Sequence, residues 1–490
     1  MEILRKRNIG LILVFSVLAI AVMGYHPGIE DDGVYLSAVK ADLNPALYSH
    51  DSEFFRVQLQ ATLFDKWVAA FSHLTHIPVA ATEFIWQFAS IALILLGCWS
   101  IARTLFHEDH AQWGAVAMVS AMLTLPVAGT ALYLADQHLH PRNISTAIIL
   151  LAVSRIVAGR RWQAIPLLLL SFVLHPIMAL LGISFCIFLT AALYEPVHVW
   201  LRSLRNSFAA AVPLGWIFER PTPLWRKALA TRSYFFLSQW TWYEWLGALA
   251  PLFLFWLLWR IAQKRGEVQL ARFALAVFAY GIFQQIAAIV ILSSPGLVRL
   301  TPLQPMRFLH LIYFFMALIG GGLLGKFVVK ASVWRWALFL FAINAGMFAA
   351  QRSLFADSPH IEFPGIPTAN PWLQAFAWIR TNTPTDAYFA LDPNYLAAPG
   401  EDYHSFRALA ERSQLADAIK DTAVVTQVPE LGPEWDREVT AQAGWTHFQL
   451  ADFERLKSEF GVNWTLVSYP QPAGLACHWH NATLAVCQIP

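Results

Sequence analysis

Glu30-Asp31-Asp32-Gly33 puts three consecutive acids directly after the first apolar span, residues 9–23. Packed like charges repel unless a cation or a proton compensates them, and the repulsion raises a carboxyl pKa towards values useful for proton transfer. At a membrane boundary such a run reads either as a solvated loop that ends a helix or as a chemical centre. A second polar group, Asp136-Gln137-His138-Leu139-His140-Pro141-Arg142, falls between the third and fourth apolar spans. A carboxylate with imidazoles can hold a divalent ion or contact a substrate. His138 and His140 also fit as ordinary polar residues at an interface. Arg142 opens the fourth span, and Arg307, in Gln304-Pro305-Met306-Arg307-Phe308, opens the tenth. Each guanidinium either grips a phosphate with its planar fork or anchors its helix by snorkelling.

The elements that must carry these residues are membrane helices. The 490 residues are 57% hydrophobic, 14% aromatic and only 13% charged, with mean hydropathy +0.48. A soluble domain carries about 25% charged residues. Apolar spans fall at 9–23, 83–106, 113–133, 144–158, 164–174, 177–193, 208–218, 245–261, 270–292, 308–325 and 334–350. Residues 164–193 also read as one helix interrupted at His175-Pro176, because proline removes a backbone donor. The expectation is therefore an α-helical polytopic membrane protein of about 9–11 spans. The first span is read as a retained anchor, since no small-x-small cleavage site follows it.

Lys and Arg in short loops orient the spans. Arg5, Lys6 and Arg7 place the N-terminus in the cytoplasm. The pairs Arg160-Arg161, Arg202 with Arg205, Arg260 with Lys264 and Arg265, and Lys326 with Lys330 then follow on the same side. The acidic cluster, the His138 loop and the tail fall outside, so Asp31 and His138 are expected to meet in one composite site. Arg220, Arg226, Lys227 and Arg232 resist this scheme by lying outside; lipid phosphates are one partner for them.

Residues 1–352 form the membrane domain, including a long outer loop at 25–82. Residues 54–67 of that loop read as a helix lying on the membrane surface. Ser238–Trp245 reads as an interfacial aromatic belt, while Glu83 and Glu244 read as span-boundary residues. Residues 353–490 read as a small extracytoplasmic α/β domain, with helices at 371–381 and 450–460 and strands at 388–391, 464–468 and 483–488. The stretch 357–490 holds 16 acids and 7 bases, against 16 and 27 in the remainder. Arg407, Glu411 and Arg412 read as a solvated face. Cys477 and Cys487 are expected to pair across a hairpin, as suits an oxidising compartment.

Asp31-Asp32-Gly33-Val34-Tyr35, just beyond the first span, resembles the catalytic first outer loop of GT-C membrane glycosyltransferases. That superfamily includes protein O-mannosyltransferases, aminoarabinose transferases and oligosaccharyltransferase catalytic subunits; the layout here is most similar to that of uncharacterised bacterial GT-C-like proteins. The resemblance implies transfer of a sugar from a polyprenyl-phosphate-linked donor, in the bacterial inner membrane, to an acceptor on the periplasmic or extracellular face. It makes Asp31 the base and Asp32 its partner, with Glu30, Tyr35, His138, His140, Arg142 and Arg307 contacting substrate. It also implies a divalent metal, Mg or Mn, on Asp136 and His138, although the double-acid motif of the family is absent. The alternative is a non-catalytic transporter or lipid-binding scaffold. Transport would call for paired mid-span charges and inverted repeats, and the sequence has few such charges and no repeat. There is no P-loop, Rossmann glycine pattern, zinc-protease motif or nucleophile elbow, and no basic aromatic surface for nucleic acid.

Overall fold

The computed structural model describes residues 6–194, 221–363, 366 and 368–490. The expected span at 208–218, and Arg5, Arg202, Arg205 and Arg220, lie outside them. Among the described residues seven helices are long and apolar enough to cross a membrane: α1 (Lys6–Met23), α5 (Val79–Leu105), α9 (Pro176–Leu193), Trp242–Lys264, Val268–Ser293, Pro305–Val329 and Val333–Leu354. The chain is thus an α-helical polytopic membrane protein; the bounds of several spans differ from those read in the sequence.

The difference has local causes. Helix α6 (Asp109–Ala121) does not run on to residue 133, because the chain turns into a two-stranded hairpin, β1 (Pro126–Val127) with β2 (Leu132–Tyr133). Helix α7 (Pro141–Val157) is buried along almost its whole length, so it is apolar because it is enclosed by other helices. Helix α8 (Ala164–Leu174) is separate from α9, the break falling at His175-Pro176, where the His175 ring accepts from the Met178 amide at 3.3 Å. Close packing needs glycine where α6 crosses the helix Leu309–Leu324: a Cβ on Gly114 would sit 2.5 Å from the Gly321 carbonyl oxygen.

The outer loop is not a helix lying free on a membrane. It forms α2 (Asp32–Leu43), α3 (Glu53–Leu59) and α4 (Phe64–Thr75), with a break inside the span expected as a single helix. Phe54, Phe55 and Phe64 are buried in an apolar cluster shared with Val424, Val425 and Trp435 of the tail. The amphipathic faces therefore cover protein. In the aromatic segment Trp240 is buried, while Trp242 and Tyr243 are exposed; Glu244 caps the following helix with Thr241.

The tail carries a five-stranded sheet in the order β4 (Ser413–Gln414), β3 (Tyr388–Ala390), β5 (Trp464–Ser468), β7 (Leu484–Gln488), β6 (Ala476–His480). β3 runs parallel to β4 and β5, and the remaining pairs are antiparallel. Successive side chains alternate between faces. Phe389, Leu466 and Val486 meet helix Pro371–Asn382 on one face; Tyr388, Val467 and Ala485 meet helix Leu450–Phe460 on the other. The second helix ends at Gly461 in the left-handed conformation. Cys477 and Cys487 are register partners in β6 and β7 and form a disulfide.

Two readings of charge are corrected. Arg407 and Arg412 are buried. Arg407 donates to Asp421 at 2.7 Å, and Arg412 to the Thr383 hydroxyl and carbonyl at 3.0 and 2.7 Å, while Glu411 takes a 2.7 Å bond from Lys40 of α2. These groups tie the tail together and to the loop; they are not a solvated face. The basic loop that resisted the orientation scheme forms helix Pro223–Ala230 against the acidic tail. Lys227 pairs with Asp436 at 2.5 Å, Trp225 donates to the Thr426 carbonyl at 3.0 Å, and Arg232 donates to the Ile419 carbonyl.

Candidate functional site

The turn that leaves α1 separates the adjacent acids. Glu30 adopts a left-handed conformation, φ +50°, and the Gly28 amide donates to Asp32 Oδ2 at 2.6 Å. Asp32 therefore points back under the turn, where it is buried facing Glu83 of α5. Burial raises its carboxyl pKa against the opposing pull of His138. Asp31 points the other way, half-exposed, into a cavity of about 400 Å³.

Asp31 does not have the raised pKa expected of crowded acids. Enclosure pushes it up, but Lys420, His140 and Arg142 outweigh that and hold it well below the usual carboxylate range. Lys420 Nζ lies 3.2 Å from Asp31 Oδ1 and also contacts Glu30. His140 Nε2 lies 3.6 Å from Asp31 Oδ2. Its Nδ1 accepts from the Arg142 amide at 2.9 Å, which assigns the ring proton to Nε2, facing Asp31. Burial, with Arg142 adding to it, pushes His140 down to about 4, so the ring is neutral at pH 7. Tyr35 sets its ring edge-on against His140, centroids 5.0 Å apart.

The loop before α7 thus meets the acidic turn. Arg142 holds Asp136 with both Nη2 and Nε, at 2.6 and 3.2 Å. Its Nη1 is buried with no partner among the described residues, as is Nε of Arg307. Both arginines line the cavity with Asp31, Tyr35, His140 and Lys420. The remaining walls come from the α3–α4 turn, the α8–α9 break and the tail helix Lys420–Gln427.

The structure gathers Asp31, Tyr35, His140, Arg142 and Arg307 around one space. Glu30 stands beside it on Lys420, and Asp32, Asp136 and His138 are not among its lining residues. A divalent metal on Asp136 and His138 does not fit: both Asp136 oxygens already accept from Arg142, and no third ligand group converges on the two among the described residues. Metal-like spacing occurs instead at Asp51, Glu434 and Glu438, away from the cavity. Sequence reasoning missed Lys420, and His175, read there only as a helix interruption, lines the cavity. Lys420 lies 389 positions from Asp31, and its only signal was being one of few bases in an acidic domain.

No protein-family model matches the chain, and no curated protein does. Among solved structures it is similar to the archaeal oligosaccharyltransferase AglB from Archaeoglobus fulgidus, in complex with an inhibitory peptide and a dolichol-phosphate. The alignment covers 94% of this chain and 69% of that one, at 14% identity and a TM-score of 0.39.

Proposed function

We propose that this chain is a GT-C-type membrane glycosyltransferase that moves a sugar from a polyprenyl-phosphate-linked donor to a hydroxyl or amine acceptor. In this reading the N-terminus is cytoplasmic in a bacterial inner membrane. The cavity and tail then face the periplasm, where the Cys477–Cys487 bond is stable.

The observation that carries the reading is the pair of guanidinium groups, Arg142 and Arg307, lining the cavity that Asp31 enters as a carboxylate. Two fixed guanidinium groups on one cavity wall suit a phosphate, whose oxygens take charge-assisted hydrogen bonds from such forks. As the glycosidic C–O bond breaks, the anomeric carbon gains positive character and the leaving phosphate gains negative charge. Donors fixed in advance at the phosphate lower that barrier. Asp31 orients the acceptor by taking a hydrogen bond from its O–H or N–H. Its depressed pKa makes it a weak base toward a free hydroxyl. Once the new bond begins to form, the attacking atom becomes strongly acidic and the proton passes to Asp31 late in the transfer.

The test is lipid-phosphate binding by the full-length protein in nanodiscs, read by native mass spectrometry with undecaprenyl phosphate. Arg307→Gln is expected to weaken binding about tenfold or more, the loss of a charge-assisted contact. Unchanged binding by that variant would contradict the reading.

A further inference from the structure

We propose that Lys420 is a positioning residue, contributed by the tail domain, that fixes the Asp31 carboxylate where it enters the cavity. The proposal rests on the transferase reading and adds the tail to its machinery.

The geometry begins in the tail. Lys420 starts the helix Lys420–Gln427, and Asp417 Oδ1 accepts from the amides of Ile419 and Lys420 at 2.7 and 2.5 Å. The Asp417 amide donates to Asp421 Oδ2 at 2.8 Å, and Asp421 Oδ1 accepts from Arg407 at 2.7 Å. This buried frame fixes the helix start. The Lys420 side chain is mostly enclosed and ends between Glu30 and Asp31 of the loop. The same helix supplies Ala423, Val424 and Gln427 to the cavity wall.

The groups facing Asp31 decide what Lys420 does. Glu30 and Tyr35 face it from its own turn and α2, His140 and Arg142 from α7 and its cap, Arg307 from the helix Pro305–Val329, and Lys420 from the tail. Arg142 and Arg307 line the same space that Asp31 enters. The Lys420 ammonium, shared with Glu30, lies 3.2 Å from Asp31 Oδ1, while His140 Nε2 faces Oδ2 at 3.6 Å, so the two groups fix the carboxylate from both of its oxygens. Because Lys420 also stabilises the carboxylate form, its removal lets Asp31 take up a proton at higher pH.

Carbodiimide coupling reads this directly, because it consumes protonated carboxyls. The full-length protein in detergent is treated with a water-soluble carbodiimide and glycinamide at about pH 5 and mapped by peptide mass spectrometry, with the exposed Asp109 as internal reference. Lys420→Met is expected to raise Asp31 labelling about fivefold or more relative to Asp109, and Lys420→Arg to leave it at the wild-type level. Asp31 labelling that does not rise in Lys420→Met overturns the proposal whether or not the protein transfers sugar. A rise in Lys420→Met, in a wild-type protein that transfers no sugar from any polyprenyl-phosphate donor, supports the Lys420–Asp31 hold and removes the transferase reading on which its purpose rests. Elution at the wild-type volume in size-exclusion chromatography verifies that both variants fold.

Discussion

Arg142 spends Nη2 and Nε on Asp136, at 2.6 and 3.2 Å, and its buried Nη1 has no partner among the described residues. One guanidinium thus has a fixed side and a free side. The fixed side sets its plane, because a bidentate pair allows little rotation.

That division predicts a structural cost separate from any effect on activity. Arg142→Ala leaves the buried Asp136 carboxylate without its counter-charge, at about 3–5 kcal/mol. The double variant Arg142→Ala/Asp136→Asn should recover much of this, since no buried charge is then left alone. Thermal unfolding in detergent measures both. Equal melting temperatures for wild type and Arg142→Ala would show that the pair does not support the fold.

A second prediction concerns the seam between loop and tail. Glu362 accepts from His26 Nδ1 at 2.6 Å and from His404 Nε2 at 3.0 Å. Burial pulls His404 down, but Glu362 outweighs it and the net shift is upward from 6.5. Burial pushes Glu362 up, but His404 and His26 outweigh it and the net shift is downward from 4.5. The raised histidine contributes stability that is complete below 6.5 and lost as pH climbs through its higher folded value. The lowered glutamate contributes above 4.5 and is lost as pH falls through its lower folded value. Stability should therefore be greatest between these limits and decline towards alkaline pH. Glu362→Gln should flatten the alkaline decline in melts run from about pH 5 to 9; an unchanged slope would count against the His404–Glu362 pair as its source.

Much of this architecture was legible in the chain. The helix over 450–460 and the strand over 464–468 appear with the bounds read from their periodicity, because both are short, local and bounded by a glycine stop. The span bounds were less legible: α6 ends at Ala121 before a hairpin, and hydropathy does not distinguish a helix enclosed by helices, such as α7, from one facing lipid. Crowding at Glu30-Asp31-Asp32 was visible, but its outcome was not. A turn sends Asp32 to Glu83 and Asp31 to Lys420, and both partners are distant in sequence. Arg407 and Arg412 looked solvated for the same reason: Asp421 and Thr383 reach them only through the tertiary fold.

The central claim is that Asp31 acts in sugar transfer and that Asp32 does not. The direct measurement is transfer of labelled sugar from a polyprenyl-phosphate donor by wild-type, Asp31→Asn and Asp32→Asn proteins of matched folding. Asp31→Asn keeps the shape and removes the charge, so transfer should fall about a hundredfold to ten-thousandfold. Asp32→Asn still accepts from the Gly28 amide and faces Glu83 as a neutral group, so it should keep transfer within about tenfold of wild type, the cost of a modest packing change. Full activity in Asp31→Asn with loss in Asp32→Asn would contradict the account.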